Sequence, residues 1–386
     1  MAAPTLATVR VPRPDGSTAE VALTAPAGLP DTAPPVSCRR VFAAVHVVAD
    51  PWRTSAADGG IDWDATLDVR RRMWALGLGV AEAMDTAQRG MGLSWPATRE
   101  LVARTLAENG DAVVGVGTDQ LPDGRPSLAA VTEAYLEQLA YVEERGGTAV
   151  VMASRQLAAT ARGPQDYLAV YDAVLSAARR PAVLHWLGEA FDPALRGYWG
   201  HTDPDRAAEV VLEVIGRRAA RVAGIKMSLL DADAERRLRA RLPAGVRMFT
   251  GDDHHYVDLI AGDGQAHSDA LLGAFAAVPR QAAAALQQLE RGDETGFRAV
   301  LEPTLPLARL VFAEPTRFYK VGVVWLSYLD GRQRHFRMLG GLESGRDLAH
   351  LVAVWEAANA IGHFDDPEAA AARLLAHLAV HGIGTP

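Results

Sequence analysis

Arg221-Val-Ala-Gly-Ile-Lys-Met-Ser-Leu-Leu230 is an apolar, strand-like run with a single lysine, Lys226, near its C-terminal end; Asp231 follows, placed to cap a helix over 232–242. Lysine rarely points into a core unless something uses it. On a parallel strand walled by apolar neighbours its ammonium loses hydration, which lowers its pKa toward values where free amine exists at neutral pH. A free amine can form a Schiff base with a carbonyl compound. The plainer alternative is a lysine that snorkels out at the strand end or pairs with an acid.

The same rhythm extends outward from this stretch. Apolar runs at 41–48, 79–85, 112–118, 148–154, 181–187, 222–228 and 247–252 alternate with helical patterns, among them 63–78, 94–109, 127–145, 164–178, 203–217 and 232–242. An eighth unit is expected to begin near Gly264 and to run into a helix over 269–291. Strand–helix alternation of this kind predicts an α/β protein whose residues 39–292 form a (β/α)8 TIM barrel. An open dinucleotide-binding sheet is disfavoured, because Gly115-Val-Gly117 lacks the third glycine of that fingerprint.

Two regions flank the barrel. Residues 5–24 alternate apolar and polar around Pro14-Asp-Gly-Ser17, which reads as a β-hairpin, and a proline-rich connector follows at 25–35. Residues 1–38 are therefore expected as an appendage, either a lid on the barrel bottom or an oligomer contact. Beyond residue 292 the patterns at 294–312, 316–329, 344–361 and 367–381 predict a C-terminal helical region, 293–386, packed on the barrel. Trp325 and Trp355 in it suit either an oligomer interface or packing on the barrel.

Composition narrows the function. The chain has 386 residues, 49% hydrophobic, with a formal charge of −8, so no basic stripe is available for nucleic acid. One cysteine, Cys38, excludes an intrachain disulfide and any cysteine-based zinc site. No signal-like N-terminal run is present, and no charge-free apolar stretch reaches about 18 residues, so a cytoplasmic protein without a membrane partner is expected.

A barrel of this type builds its site at the C-terminal ends of its strands. Taken in order those ends carry His46 or Asp50, Asp85-Thr86, Thr118-Asp119-Gln120, Ser154-Arg155-Gln156, His185-Trp186, Lys226, Asp252-Asp253-His254-His255 and Gln265 to Ser268. Singly, each is equally explained as a loop polar residue, and Asp85, Asp119 and Asp252 as helix caps. Together they form a polar rim.

Gly224-Ile-Lys226 on the sixth strand resembles the Schiff-base lysine motif of the dihydrodipicolinate synthase and N-acetylneuraminate lyase family of class I aldolases. Thr250-Gly-Asp-Asp253 is similar to the family's seventh-strand segment, and Gly262-Asp-Gly-Gln-Ala-His-Ser268 to its glycine-rich eighth. Pro181-Ala-Val-Leu-His185 stands where the family has Pro-x-x-Leu-Tyr, and Met84-Asp-Thr-Ala-Gln88 where it has Gly-Thr-Thr-Gly-Glu. The likeness spans roughly residues 40 to 300 and marks a divergent branch. It implies a lyase, aldolase or dehydratase acting on a small keto acid or sugar-derived carbonyl compound, with no cofactor and no metal, assembled as a dimer or tetramer. It further implies Lys226 as the Schiff-base lysine and His185 in place of a proton-relaying tyrosine. Asp85 replaces one of two carboxylate-binding threonines. An aspartate there would repel a bound carboxylate and better suits hydroxyl groups or acid–base work. Thr86, Gln88, Gln120, Arg155, Trp186, Gly251, Asp252, Asp253 and His254 are the expected substrate-binding residues.

Two rival readings remain at this level. Asp252, Asp253, His254 and His255 with His185 and His46 could form the ligand set of a metal-dependent lyase or hydrolase, although adjacent strand residues point opposite ways. A non-catalytic ligand-binding barrel is the other, and a mouth filled by Trp186 or Arg155 would favour it.

Overall fold

The computed structural model describes residues 7–53 and 60–384. A two-stranded antiparallel hairpin, β1 (Thr8–Pro12) and β2 (Thr18–Ala22), precedes the barrel. The barrel then runs β3 (Val41–Ala44), α1 (Trp63–Ala75), β4 (Gly79–Glu82), α2 (Trp95–Ala107), β5 (Ala112–Val116), α3 (Leu128–Glu144), β6 (Thr148–Val151), α4 (Arg155–Thr160) and α5 (Pro164–Ala177). It continues through β7 (Ala182–Leu187), α6 (Pro204–Arg217), β8 (Val222–Ser228), α7 (Ala232–Arg239), β9 (Arg247–Thr250), α8 (Tyr256–Ala261), β10 (Asp269–Leu272), α9 (Ala274–Ala277) and α10 (Pro279–Glu290). Strands β3 to β10 close in sequence order, every pair parallel, with β10 bonded to both β9 and β3. Closure leaves no free strand edge, and burial on both faces explains why these strands read as apolar runs.

Side-chain alternation divides the core. Phe42, Ala44, Ala81, Val113, Val150, Val183, Phe249 and Leu271 fill the barrel lumen. Their strand neighbours face the helices. The helices start where capping residues dictate: Ser94, Ser127, Asp203 and Asp231 each accept hydrogen bonds from backbone N–H groups of the first turn.

The eighth unit differs from expectation. Asp269–Leu272, read from sequence as the start of a long helix, is the last barrel strand, and the helical part begins at Ala274 and breaks before Pro279. Asp269 fixes the strand by accepting from the Arg40 N–H at 2.7 Å and from Arg247 Nη1 at 2.7 Å. An alanine-rich window lets strand and helix periods overlap, and the vacancy between β9 and β3 decides between them.

The helical region comprises α11 (Glu294–Leu301), α12 (Leu305–Val311), α13 (Tyr319–Leu329), α14 (Leu348–Ala360) and α15 (Pro367–Val380). The predicted helix over 294–312 is interrupted by a tighter turn containing Pro303. Trp325 and Trp355 are both fully buried within the chain, and Trp325 Nε1 donates to the Leu351 carbonyl at 3.0 Å. The hairpin packs on this region rather than across the barrel bottom. Arg13 pairs with Glu356, and Asn359 both donates to the Ala22 carbonyl and accepts from the Thr24 N–H. No hairpin residue lines the hollow at the N-terminal end of the barrel.

Candidate active site

Lys226 sits on the luminal face of β8, in register with His185 on β7 and Phe249 on β9. It is 7% exposed. Among the described residues no carboxylate oxygen comes within the 4.0 Å of an ion pair, and no hydrogen bond engages its Nζ. Burial pushes its ammonium below the ordinary lysine range, and the charges of Asp85 and Asp253 pull it partly back. Gly251 makes room for it: a Cβ there would lie 2.6 Å from Lys226 Cε and 2.1 Å from Ser228 Oγ. The role of Gly251 in this geometry is to admit the lysine stem.

Around the amine stand three further groups. His185 Nε2 is 3.3 Å from Ser228 Oγ, while its Nδ1 is enclosed without a partner. Burial, then the Lys226 charge, hold the ring far below its usual titration range, so it is neutral. Asp253 accepts from the Ala274 N–H at 2.8 Å, and burial raises its carboxyl well above the usual range. Asp85 opens the short turn after β4 and is half-buried, close enough to bias Lys226, Tyr319 and Lys320 electrostatically.

Thr86, next in that turn, places its Oγ1 2.7 Å from the hydroxyl of Tyr319, the first residue of α13. Tyr319 is buried, stacked on Phe312 with ring centroids 4.5 Å apart. Burial and then Asp85 raise its pKa well above the ordinary phenol, so it stays protonated and able to donate. Gly273, at the end of β10, permits this approach, since a Cβ there would meet Tyr319 Cε2 at 3.0 Å.

A cleft of about 400 Å³ opens over the ends of β4 to β7, lined by Asp85, Thr118, Asp119, Ser154, Arg155 and Asp192 among others. Lys226 is not in its lining; Asp85 belongs to both the cleft and the group around the lysine. Within the cleft Arg89 pairs with Asp119 and Arg155 with Asp192, so both guanidinium charges are matched.

The remaining expected binding residues are placed otherwise. The Gln88 amide is consumed by backbone, donating to Met91 and Leu339 carbonyls and accepting from the Leu339 N–H. Gln120 donates to the Ala134 carbonyl and accepts from Gln138. Trp186 faces outward, edge-on to Trp199 at 6.5 Å. Asp252 accepts from the backbone N–H groups of His254 and His255 and pairs with His255 Nδ1 at 2.9 Å. His254 Nε2 is enclosed without a partner. His46 contacts Gln333 at 3.1 Å, away from this cluster, and among the described residues no three His, Cys, Asp or Glu side chains converge as a metal site.

Tyr319 and Lys320 are the site residues that reading the strand ends misses. Lys320 is one charge in the otherwise apolar helix Tyr-Lys-Val-Gly-Val-Val-Trp-Leu, an anomaly like that of Lys226, but the pattern does not say which part of the fold it meets.

Comparison with solved structures gives matches to dihydrodipicolinate synthases at low identity. The putative synthetase from Pseudomonas aeruginosa aligns with TM-score 0.60 and 18% identity, over 82% of this chain and 99% of that one. The enzyme from Thermotoga maritima aligns with TM-score 0.62 and 16% identity, over 84% and 100%. That from Aquifex aeolicus gives 0.60 and 13%, over 89% and 98%. These likenesses establish a shared fold. No curated protein sequence matches at a significant level. The sequence model described as "Protein of unknown function (DUF993)" matches residues 9–383, almost the whole chain, and the protein belongs to that family.

Proposed function

We propose that this protein is a class I aldolase-type lyase, forming or breaking a carbon–carbon bond, or eliminating water, in a small carbonyl compound held as a Schiff base on Lys226. The observation that carries the reading is a lysine on the luminal face of a barrel strand with a lowered pKa and, among the described residues, no carboxylate within ion-pair distance. Such an amine is costly to keep unless it reacts.

The chemistry follows from the groups present. The lone pair of Nζ attacks the carbonyl carbon and the oxygen takes up a proton, giving a carbinolamine. Loss of water leaves an iminium ion, whose positive nitrogen accepts the electron pair of the adjacent breaking bond to form an enamine. Tyr319, protonated and fixed by Thr86, is suited to protonate the departing oxygen. Asp85 is the ionic group placed to balance the iminium charge and to accept a proton on the cleft side. His185, neutral beside Lys226, supplies a second acceptor. A smooth exchange of protons among these groups needs no cofactor.

The test uses acetylacetone, a β-diketone that converts a reactive lysine into a coloured enaminone. Borohydride reduction in the presence of pyruvate or dihydroxyacetone is the parallel assay. Peptide mapping should find the adduct on Lys226, and Lys226→Met should reduce its formation at least about a thousandfold. Absence of any adduct on Lys226 under all three conditions would reject the mechanism.

A further inference from the structure

Both arginines near the mouth have a carboxylate partner, buried Arg89 with Asp119 and half-buried Arg155 with Asp192, and in the barrel wall Arg70 has Glu82. Lys320 does not. It is 2% exposed, and among the described residues its Nζ has one hydrogen-bond partner, the Met91 sulfur at 3.2 Å. A thioether is a weak acceptor, and the Tyr319 ring, 5.4 Å from Nζ, adds only a modest attraction. Among the described residues no carboxylate oxygen reaches it within 4.0 Å. Burial lowers the pKa of its ammonium to about 8; of the charges facing it, Asp85 and Asp192 favour the ammonium and Arg155 opposes it.

The charge balance of the site then has a gap. When Lys226 carries an iminium ion, Asp85 is its counter-charge; Asp253, raised by burial, is a poorer one. Lys320 is left with an uncompensated charge beside the turn that presents Asp85 and Thr86. That turn is also gripped by the helical region, through Thr86 to Tyr319 and Gln88 to Leu339, which holds Lys320 at a set place relative to the reacting lysine.

We propose that Lys320 is the subsite for an anionic group, a carboxylate or a phosphate, carried by the carbonyl compound that reacts at Lys226. The inference rests on the Schiff-base reading and deepens it. It also answers the objection raised by Asp85: an aspartate at that position disfavours an acid, and the α13 lysine supplies the opposing charge.

Two probes separate this from the reaction itself: acetylacetone, which is neutral, and acetopyruvate, the same diketone bearing a carboxylate. The wild-type protein should form the Lys226 enaminone with acetopyruvate about tenfold faster or more at sub-saturating concentration, the range expected for one charge-assisted contact. In Lys320→Met the ratio of the two rate constants should collapse toward one, with Lys320→Arg restoring part of it. Acetate or inorganic phosphate should slow the acetopyruvate reaction of the wild-type protein, and acetamide should not; whichever anion competes better identifies the group. Equal rates for both probes in the wild-type protein, or an unchanged ratio in Lys320→Met, would overturn the subsite while leaving Lys226 reactive. If Lys320→Met fails to fold, competition on the wild-type protein decides, and no protection by either anion overturns the proposal. Failure of both probes to label Lys226, together with no borohydride-trapped adduct, would instead sink the Schiff-base reading.

Discussion

Two buried cationic sites in this barrel are built in opposite ways. In the wall, Arg70 on α1 meets Glu82 on β4 through two contacts at 2.9 and 2.8 Å, with both side chains fully buried. Thr105 donates to the same carboxylate at 2.6 Å, and Arg70 also donates to the carbonyls of His46 and Thr66. Every charge there is answered by the chain. In the mouth, Lys226 and Lys320 are also buried, yet neither has an ion-pair partner among the described residues. A satisfied pair fixes geometry, whereas an unsatisfied amine keeps its lone pair and donors unspent.

This contrast can be broken directly. Glu82→Gln leaves a buried guanidinium without its counter-charge and should lower the unfolding free energy by about 3–5 kcal/mol, read from urea denaturation. Lys226→Met removes an amine with no ion-pair partner among the described residues, so stability should stay level or rise even as adduct formation disappears. Equal destabilisation by the two substitutions would show that Lys226 is as structural as Arg70, and the comparison would fail.

A smaller effect separates helix from barrel. Tyr319→Phe removes the hydroxyl facing Thr86 while keeping the stack on Phe312. If the phenol transfers a proton, enaminone formation should slow about a hundredfold with little change in melting temperature. A loss of stability with unchanged rate would make Tyr319 a packing residue that happens to touch Thr86.

How much of this was legible in sequence depends on distance along the chain. The lysine strand, its capping aspartate and most of the alternation follow from local pattern, and Val222–Ser228 is a strand in the structure with the bounds its apolar run suggests. The eighth strand was obscured because Asp269-Ala-Leu-Leu272 borders alanine-rich helix, and only the neighbours β9 and β3 give it a reason to extend. Trp186 was readable: with His185 facing the lumen, strand parity sends the next side chain outward. Gln88 and Gln120 were not, since a glutamine at a strand end looks the same whether its amide faces a ligand or a backbone carbonyl. The contribution of α13 to the mouth lay out of reach, because nothing local says that Tyr319 and Lys320 return to the turn at Asp85. Only packing brings them there.

The subtlest way to sharpen the contrast is through pH. Burial lowers the Lys226 pKa, and Asp85 and Asp253 each raise it toward normal. The amine reacts only when deprotonated, so the rate of enaminone formation should climb as pH rises through this lowered pKa. It should level off below the value of about 10.4 at which an ordinary lysine loses its proton. Asp85→Asn withdraws one of the two charges that favour the ammonium, so the rising limb should move to lower pH whatever happens to the plateau height. A limb that stays put in Asp85→Asn would mean that the aspartate does not act on Lys226, and the charge balance assigned to the mouth, with Lys320 as its open position, would have to be redrawn around Asp253 alone.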